Sequence, residues 1–150
     1  MTHPKVALAG RLTGNFHVRR YTTSIKDVRC LWPKARDWSE IRRHALKLRF
    51  WPERFPEGDN GELLDLDWSW IQALKGKNVG ELRINDRIGG HENIRLIFFV
   101  GGASDGVPMP TIWILAALAK KRDSFTRNEI DVFDARRSLV VARHYDADQF

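Results

Sequence analysis

The 150-residue sequence has a single cysteine, Cys30. A disulfide framework is therefore excluded, and a cysteine-ligated zinc site lacks ligands. Such sparing use fits a reducing compartment. Long apolar runs are missing too. Outside the central hairpin the longest is "TIWILAALA", nine residues, too short to cross a bilayer. The start, "MTHPKVALAGRLTG", lacks the charged head and long apolar stretch of a secretory leader, so a cytoplasmic protein is expected. Also absent are a glycine-rich phosphate loop followed by Lys-Ser/Thr, a His-Glu-x-x-His zinc motif and a nucleophilic serine elbow. The five histidines, at 3, 17, 44, 91 and 144, have no ligand spacing among themselves. No metal, no cofactor and no conventional hydrolase chemistry are expected.

What is present is a globular composition, 43% apolar with six tryptophans, and positive charge. The length suits one domain with its own core. The net charge of +6 is uneven: residues 1–50 carry 12 Lys/Arg against 3 Asp/Glu, residues 51–80 carry 3 against 6, and residues 81–150 carry 10 against 10. A basic surface attracts polyanions and acidic proteins, although it also serves simply to keep copies apart.

Along the chain, residues 16–22 read as a strand from their aromatic, β-branched and basic mixture. Residues 1–15 are expected to be an extension, with residues 16–150 forming the domain. "RDWSEIRRHALKLRFW" has Trp38, Ile41, Ala45 and Leu48 at helical spacing. "DLDWSWIQALKG" reads as a second, shorter helix stopped by Gly76. Three strand-like runs follow, "VGELRIND", "NIRLIFFVGG" and "TIWILAALAKK", with turn-forming residues between them. They favour an antiparallel meander. In the last segment Thr126 and Glu129 have capping-box spacing, and Val132, Ala135, Leu139 and Ala142 form an apolar stripe expected to face the core. The expectation is an α+β domain: an antiparallel sheet, two helices from the N-terminal half and a C-terminal helix, grouped on one face.

The candidates for chemistry are cations. Alternation in "ELRIND" puts Glu81 and Arg83 on one side of a strand, and Arg95 shares a side with Ile97 and Phe99 in the next. "AKKRDSF" closes the third strand with Lys120, Lys121 and Arg122. Clustered like charges repel unless something neutralises them, and an arginine fork matches a phosphate. A plainer account stands beside this: Arg83 pairs with Glu81 or Glu92, and the residues from Lys120 to Arg122 are a solvated strand end.

These segments resemble the RelE/HigB superfamily of bacterial toxins. The resemblance rests on Leu74, Lys75 and Gly76; Glu81, Leu82 and Arg83; Arg95 through Phe98; Lys120 and Lys121; and Thr126, Glu129, Ala135, Arg136 and Arg137. It spans about residues 72–140, and Glu-Leu-Arg fits the HigB-like branch. Some RelE-type relatives carry a lysine where Glu81 stands, and the aromatic some place on the final helix has no clear counterpart here.

The resemblance implies the toxin of a type II toxin–antitoxin system, paired with an antitoxin and cutting mRNA, often on the ribosome. Metal-free RNA cleavage uses the substrate's own 2′-hydroxyl as nucleophile. On that expectation Arg83 and Arg95 hold the scissile phosphate and its developing charge, and Lys121 or Lys120 adds charge and donates a proton. Glu81 serves as base or only orients Arg83. Arg42, Arg43, Lys47, Arg49 and Arg122 contact RNA phosphates. Two rivals remain open: a ParE-like toxin that acts on DNA gyrase without cutting RNA, and a basic RNA-binding module with no activity.

Overall fold

The computed structural model describes residues 16–21, 24–58, 60–102, 105–107, 110–142 and 147–149, the last three by backbone alone. The expected extension over residues 1–15 lies outside them, as do His3, His144 and Tyr145. The fold is α+β, as expected. A six-stranded sheet runs in the order β2-β3-β4-β5-β1-β6. Its strands are β1 (His17–Tyr21), β2 (Trp68–Trp70), β3 (Val79–Ile84), β4 (Ile94–Val100), β5 (Thr111–Ala119) and β6 (Ala147–Gln149). β3 to β5 form the expected meander and β2 extends it by one strand, each antiparallel to the next. The sheet as a whole is mixed, because β1 lies parallel to β5 on its far side. Among the described residues no helix is long and apolar enough to cross a membrane.

The helices divide between the two faces and do not share one. α1 (Ser24–Leu31) and α2 (Ala35–Leu46) cover the first face. There Val28, Trp32, Ile41, Ala45 and Leu48 pack with Leu82, Ile84, Ile94, Leu96 and Phe98. α3 (Arg127–Val141) covers the second face, where Phe133 and Val140 pack with Val79, Ile97, Phe99, Trp113 and Leu115. A sheet buried on both sides explains the near-continuous apolar runs of β4 and β5.

Two local expectations need correction, and the helix α1 was not expected at all. Residues 65–76 form β2 and a short 3-10 turn, Gln72–Leu74, and no α-helix. Trp68 and Trp70 meet edge to face with ring centroids 5.1 Å apart on one side, while Ser69 meets Arg83 on the other. "DWSW" is a period-2 pattern, and pairing with β3 realises it. The helix α1 carries only Ser24 and Val28 as buried residues, too few to show as periodicity in the sequence. On α3 the supposed core stripe faces solvent: Val132, Ala135, Leu139 and Ala142 are all exposed. The helix is turned so that Phe133 and Val140 enter the core, because Arg136 and Arg137 are also held inward by polar partners. The capping box forms as read, with Glu129 N–H donating to Thr126 Oγ1 (3.1 Å) and Thr126 N–H to Glu129 Oε1 (2.8 Å).

Candidate functional site: a cationic cleft at the end of the hairpin

The site begins with a register. Between β3 and β4 the chain turns at Gly89 and Gly90, whose positive φ of 58° and 82° suits a primed hairpin turn. The ladder that results pairs Arg83 directly with Arg95. Opposed side chains on one face sit about 5 Å apart at Cβ, so two guanidinium groups are forced together. Glu81, two residues earlier on the same face, lies between them. Its Oε1 accepts from Arg95 Nε at 3.0 Å and lies 3.8 Å from Arg83 Nε. Arg83 also donates to Asp67 Oδ1 (3.1 Å), just before β2, and to Ser69 Oγ (2.9 Å) on β2. Two carboxylates thus offset the repulsion and fix both forks. The pairing of Arg83 with Glu81 is present; Glu92 instead faces Arg87.

The third strand reaches this face through a β-bulge. Ile97 pairs with Ala116 but Phe98 pairs with Ile114, so Leu115 is an extra residue on β5. Leu115 and Ala116 both point to the α3 face. Beyond the bulge the alternation is inverted, and Leu118 and then Lys120 follow Ala116 onto that face. An unbulged strand would have sent Lys120 to the other side. The backbone groups disturbed by the bulge find side-chain partners. Arg136 on α3 donates to the Leu115 carbonyl (2.7 Å) and to Asp27 on α1 (2.7 Å). Asp27 in turn accepts from the Ala117 N–H (3.3 Å).

The outcome is an open cleft of about 330 Å³ lined by Arg83, Asn93, Arg95, Lys120, Lys121, Arg122 and Asp123. Lys120 is tied in twice: its N–H donates to Asn93 O at 2.8 Å, and its ammonium sits 4.5 Å above the centre of the Phe125 ring. Lys121 and Arg122 are exposed and able to swing over a ligand. Five cations around one opening, two with their guanidinium planes already fixed, have the charge and fork geometry that can engage an oxyanion.

Five sequence-chosen residues therefore converge: Arg83, Arg95, Lys120, Lys121 and Arg122. Glu81 lies beneath them, 7% exposed. The other four do not join them. Arg42, Arg43, Lys47 and Arg49 belong to α2 and the 3-10 turn after it, on the opposite face of the sheet. Arg43, Lys47 and Arg49 line one depression there and Arg42 lines another. Charge count alone had grouped them with the cleft. Sequence reasoning missed Asp67, Ser69, Asn93 and Asp123. Only Ser69 and Asp67 had a signal, the alternation of "DWSW". Asp123 is the one acid among the described residues lining the cleft.

One other polar cluster stands out. Glu40, His44 and Asp86 bring a ligand atom each within 4.8 Å of one another. Glu40 and His44 are one helical turn apart, a spacing the sequence reading overlooked. Lys47 Nζ, however, is 3.0 Å from His44 Nδ1. An ammonium only donates, so Nδ1 accepts and the ring proton sits on Nε2, facing Asp86 Oδ2 at 3.2 Å. A protonated Nε2 offers no lone pair to a metal. Burial, then Lys47 and Arg43, lower the His44 pKa from 6.5 to about 4, so the ring is neutral at pH 7.

No family model matches the chain, and neither a curated protein nor a solved structure matches it.

Proposed function

We propose that the chain is an endoribonuclease toxin of the RelE/HigB kind that cuts mRNA by 2′-hydroxyl attack, with the cationic cleft as its active site. One observation carries the reading: Arg83 and Arg95 are paired across the hairpin and locked by carboxylates in an open cleft that also holds Lys120, Lys121 and Arg122. A solvated strand end needs no such locking. Pre-fixed guanidinium forks facing an opening are how charge that develops on a phosphorane is stabilised without reorganisation.

In this site Arg83 and Arg95 hold the two non-bridging oxygens. Lys121, exposed and adjacent, protonates the leaving 5′-oxygen, and Lys120 adds charge from its fixed position over Phe125. Glu81 is engaged by both arginines, which suits orientation better than proton transfer. Asp123 is the carboxylate placed to accept the 2′-hydroxyl proton. The partners of this reading are mRNA, the ribosome and an antitoxin that covers the cleft while the cell grows, and its place of action is the cytoplasm.

Purified chain added to translating ribosomes with a defined mRNA tests it. Cleavage is expected with the native chain and not with Arg95→Ala. RNA that is bound but never cut would point to the inactive binding module, and no effect on RNA with inhibition of DNA gyrase would point to the ParE-like alternative.

A further inference from the structure

On the face of the sheet away from the cationic cleft, Lys47, His44 and Asp86 form a line. Lys47 opens the 3-10 turn Lys47–Phe50 directly after α2, and His44 lies one turn before it. The Lys47 Nζ to His44 Nδ1 distance is 3.0 Å, and His44 Nε2 lies 3.2 Å from Asp86 Oδ2, just off the hydrogen-bond line. A lysine becomes nucleophilic when partial burial and a neighbouring cation favour its free amine, and a fixed contact at the nitrogen holds that amine in place. His44 is buried while Lys47 is half-buried, so the imidazole is shielded and the amine can still be reached.

The surroundings suggest what reaches it. Lys47 opens into a depression of about 250 Å³ whose other walls include Arg43, Arg49, Leu46, Phe50, Leu64 and, opposing the two arginines in charge, Glu62. Two guanidinium groups beside an apolar floor suit a small molecule with a phosphate at one end and a short carbon chain at the other. We propose that Lys47 is a nucleophilic lysine acylated by small acyl phosphates, its amine held in place by His44, which Asp86 in turn orients.

The reaction balances without any further reagent. The Lys47 nitrogen attacks the acyl carbon, a C–N bond forms, and the C–O bond to phosphate breaks with its electron pair leaving on phosphate. In passing from ammonium to amide the nitrogen gives up two protons. One goes to solvent and the other ends on the released phosphate. Burial first, and then Arg43, lower the Lys47 pKa, which raises the share of free amine. The proposal is independent of the RNA-cleaving reading, since it concerns other residues on the other face.

The test is site-resolved mass spectrometry of the full chain incubated with acetyl phosphate near pH 7.5. Lys34 and Lys75, both exposed, serve as internal references. Lys47 is expected to acetylate at least about tenfold faster than either. With an uncharged acyl donor the preference should fall, because the arginines then have nothing to hold. His44→Gln should bring the Lys47 rate down to that of the reference lysines. Asp86→Asn, at an exposed position, keeps the test valid if the histidine variant fails to fold, and should lower the rate partway. The proposal is overturned if Lys47 reacts no faster than Lys34, or if Asp86→Asn in a folded protein leaves the ratio unchanged.

Discussion

Arg136 never touches the cleft, yet the site depends on it. Consider Arg136→Met, which keeps the length and removes the charge. In the native chain Arg136 holds the Leu115 carbonyl at the bulge and pairs with Asp27, at 2.7 Å each. Both partners are largely buried, with side chains 15% and 24% exposed. Removing one member of such a pair leaves the other charge unpaired, a loss of roughly 3–5 kcal/mol. The carbonyl left without its donor adds about 1–3 kcal/mol, and relaxation of Asp27 toward water, a quarter exposed, takes part of that back. We expect a total near 4 kcal/mol, measured by urea unfolding. At temperatures where the variant is still folded, RNA cleavage should fall by at least about tenfold, because the bulge sets the face on which Lys120 emerges. Asp27→Asn should be milder on both counts, since an amide oxygen still accepts from Ala117 N–H. An Arg136→Met protein that loses less than about 1 kcal/mol, or that cuts RNA at the native rate, would refute the claim that this pair holds the bulge and the bulge aims the lysine.

Three other outcomes follow from the same structure. Glu81→Gln should lower stability by about 2–4 kcal/mol, less than the full cost of breaking a buried pair because Arg83 is a third exposed; a cost under about 0.5 kcal/mol would mean the arginines do not need it. Acid should destabilise the fold through His44. Its pKa is depressed in the folded state, so the unfolded chain binds the extra proton as pH falls from 6.5 towards 4, and about 3 kcal/mol present at pH 7 is lost across that window. Unfolding curves at pH 7 and pH 4 for the native chain and His44→Gln isolate this share, which the variant should lack. On α3, Val132→Ser and Leu139→Ser should each change stability by less than about 0.5 kcal/mol in urea unfolding, whereas Phe133→Ala should cost about 3–5 kcal/mol.

The meander, the capping box at Thr126 and the convergence of Arg83 with Arg95 were legible because each is written in local spacing. Strand alternation fixes a face, and short connections fix neighbours. What was not legible depended on tertiary partners. "DWSW" is a strand only because β3 lies beside it. The rotation of α3 is set by Arg136 and Arg137 reaching inward to Asp27, Asp105 and backbone carbonyls, contacts across 21 to 109 residues of sequence. The bulge at Leu115 leaves no mark in an all-apolar strand, so the face taken by Lys120 could not be read. The N-terminal cations were misgrouped for a simpler reason: net charge carries no direction, and α2 packs on the other side of the sheet.

The most direct test of the account is the chemistry of the cut ends. Attack by the 2′-hydroxyl, held in line by Arg83 and Arg95, must leave a 2′,3′-cyclic phosphate (or the 3′-phosphate it hydrolyses to) and a free 5′-hydroxyl. An mRNA with a single 2′-deoxy substitution at the cleaved nucleotide should still bind, since its phosphate contacts remain, but should not be cut there. End-group analysis of both RNAs by mass spectrometry decides it. A 5′-phosphate product, or cleavage at the deoxy position, would mean that water is the nucleophile and that the cationic cleft does not work as described.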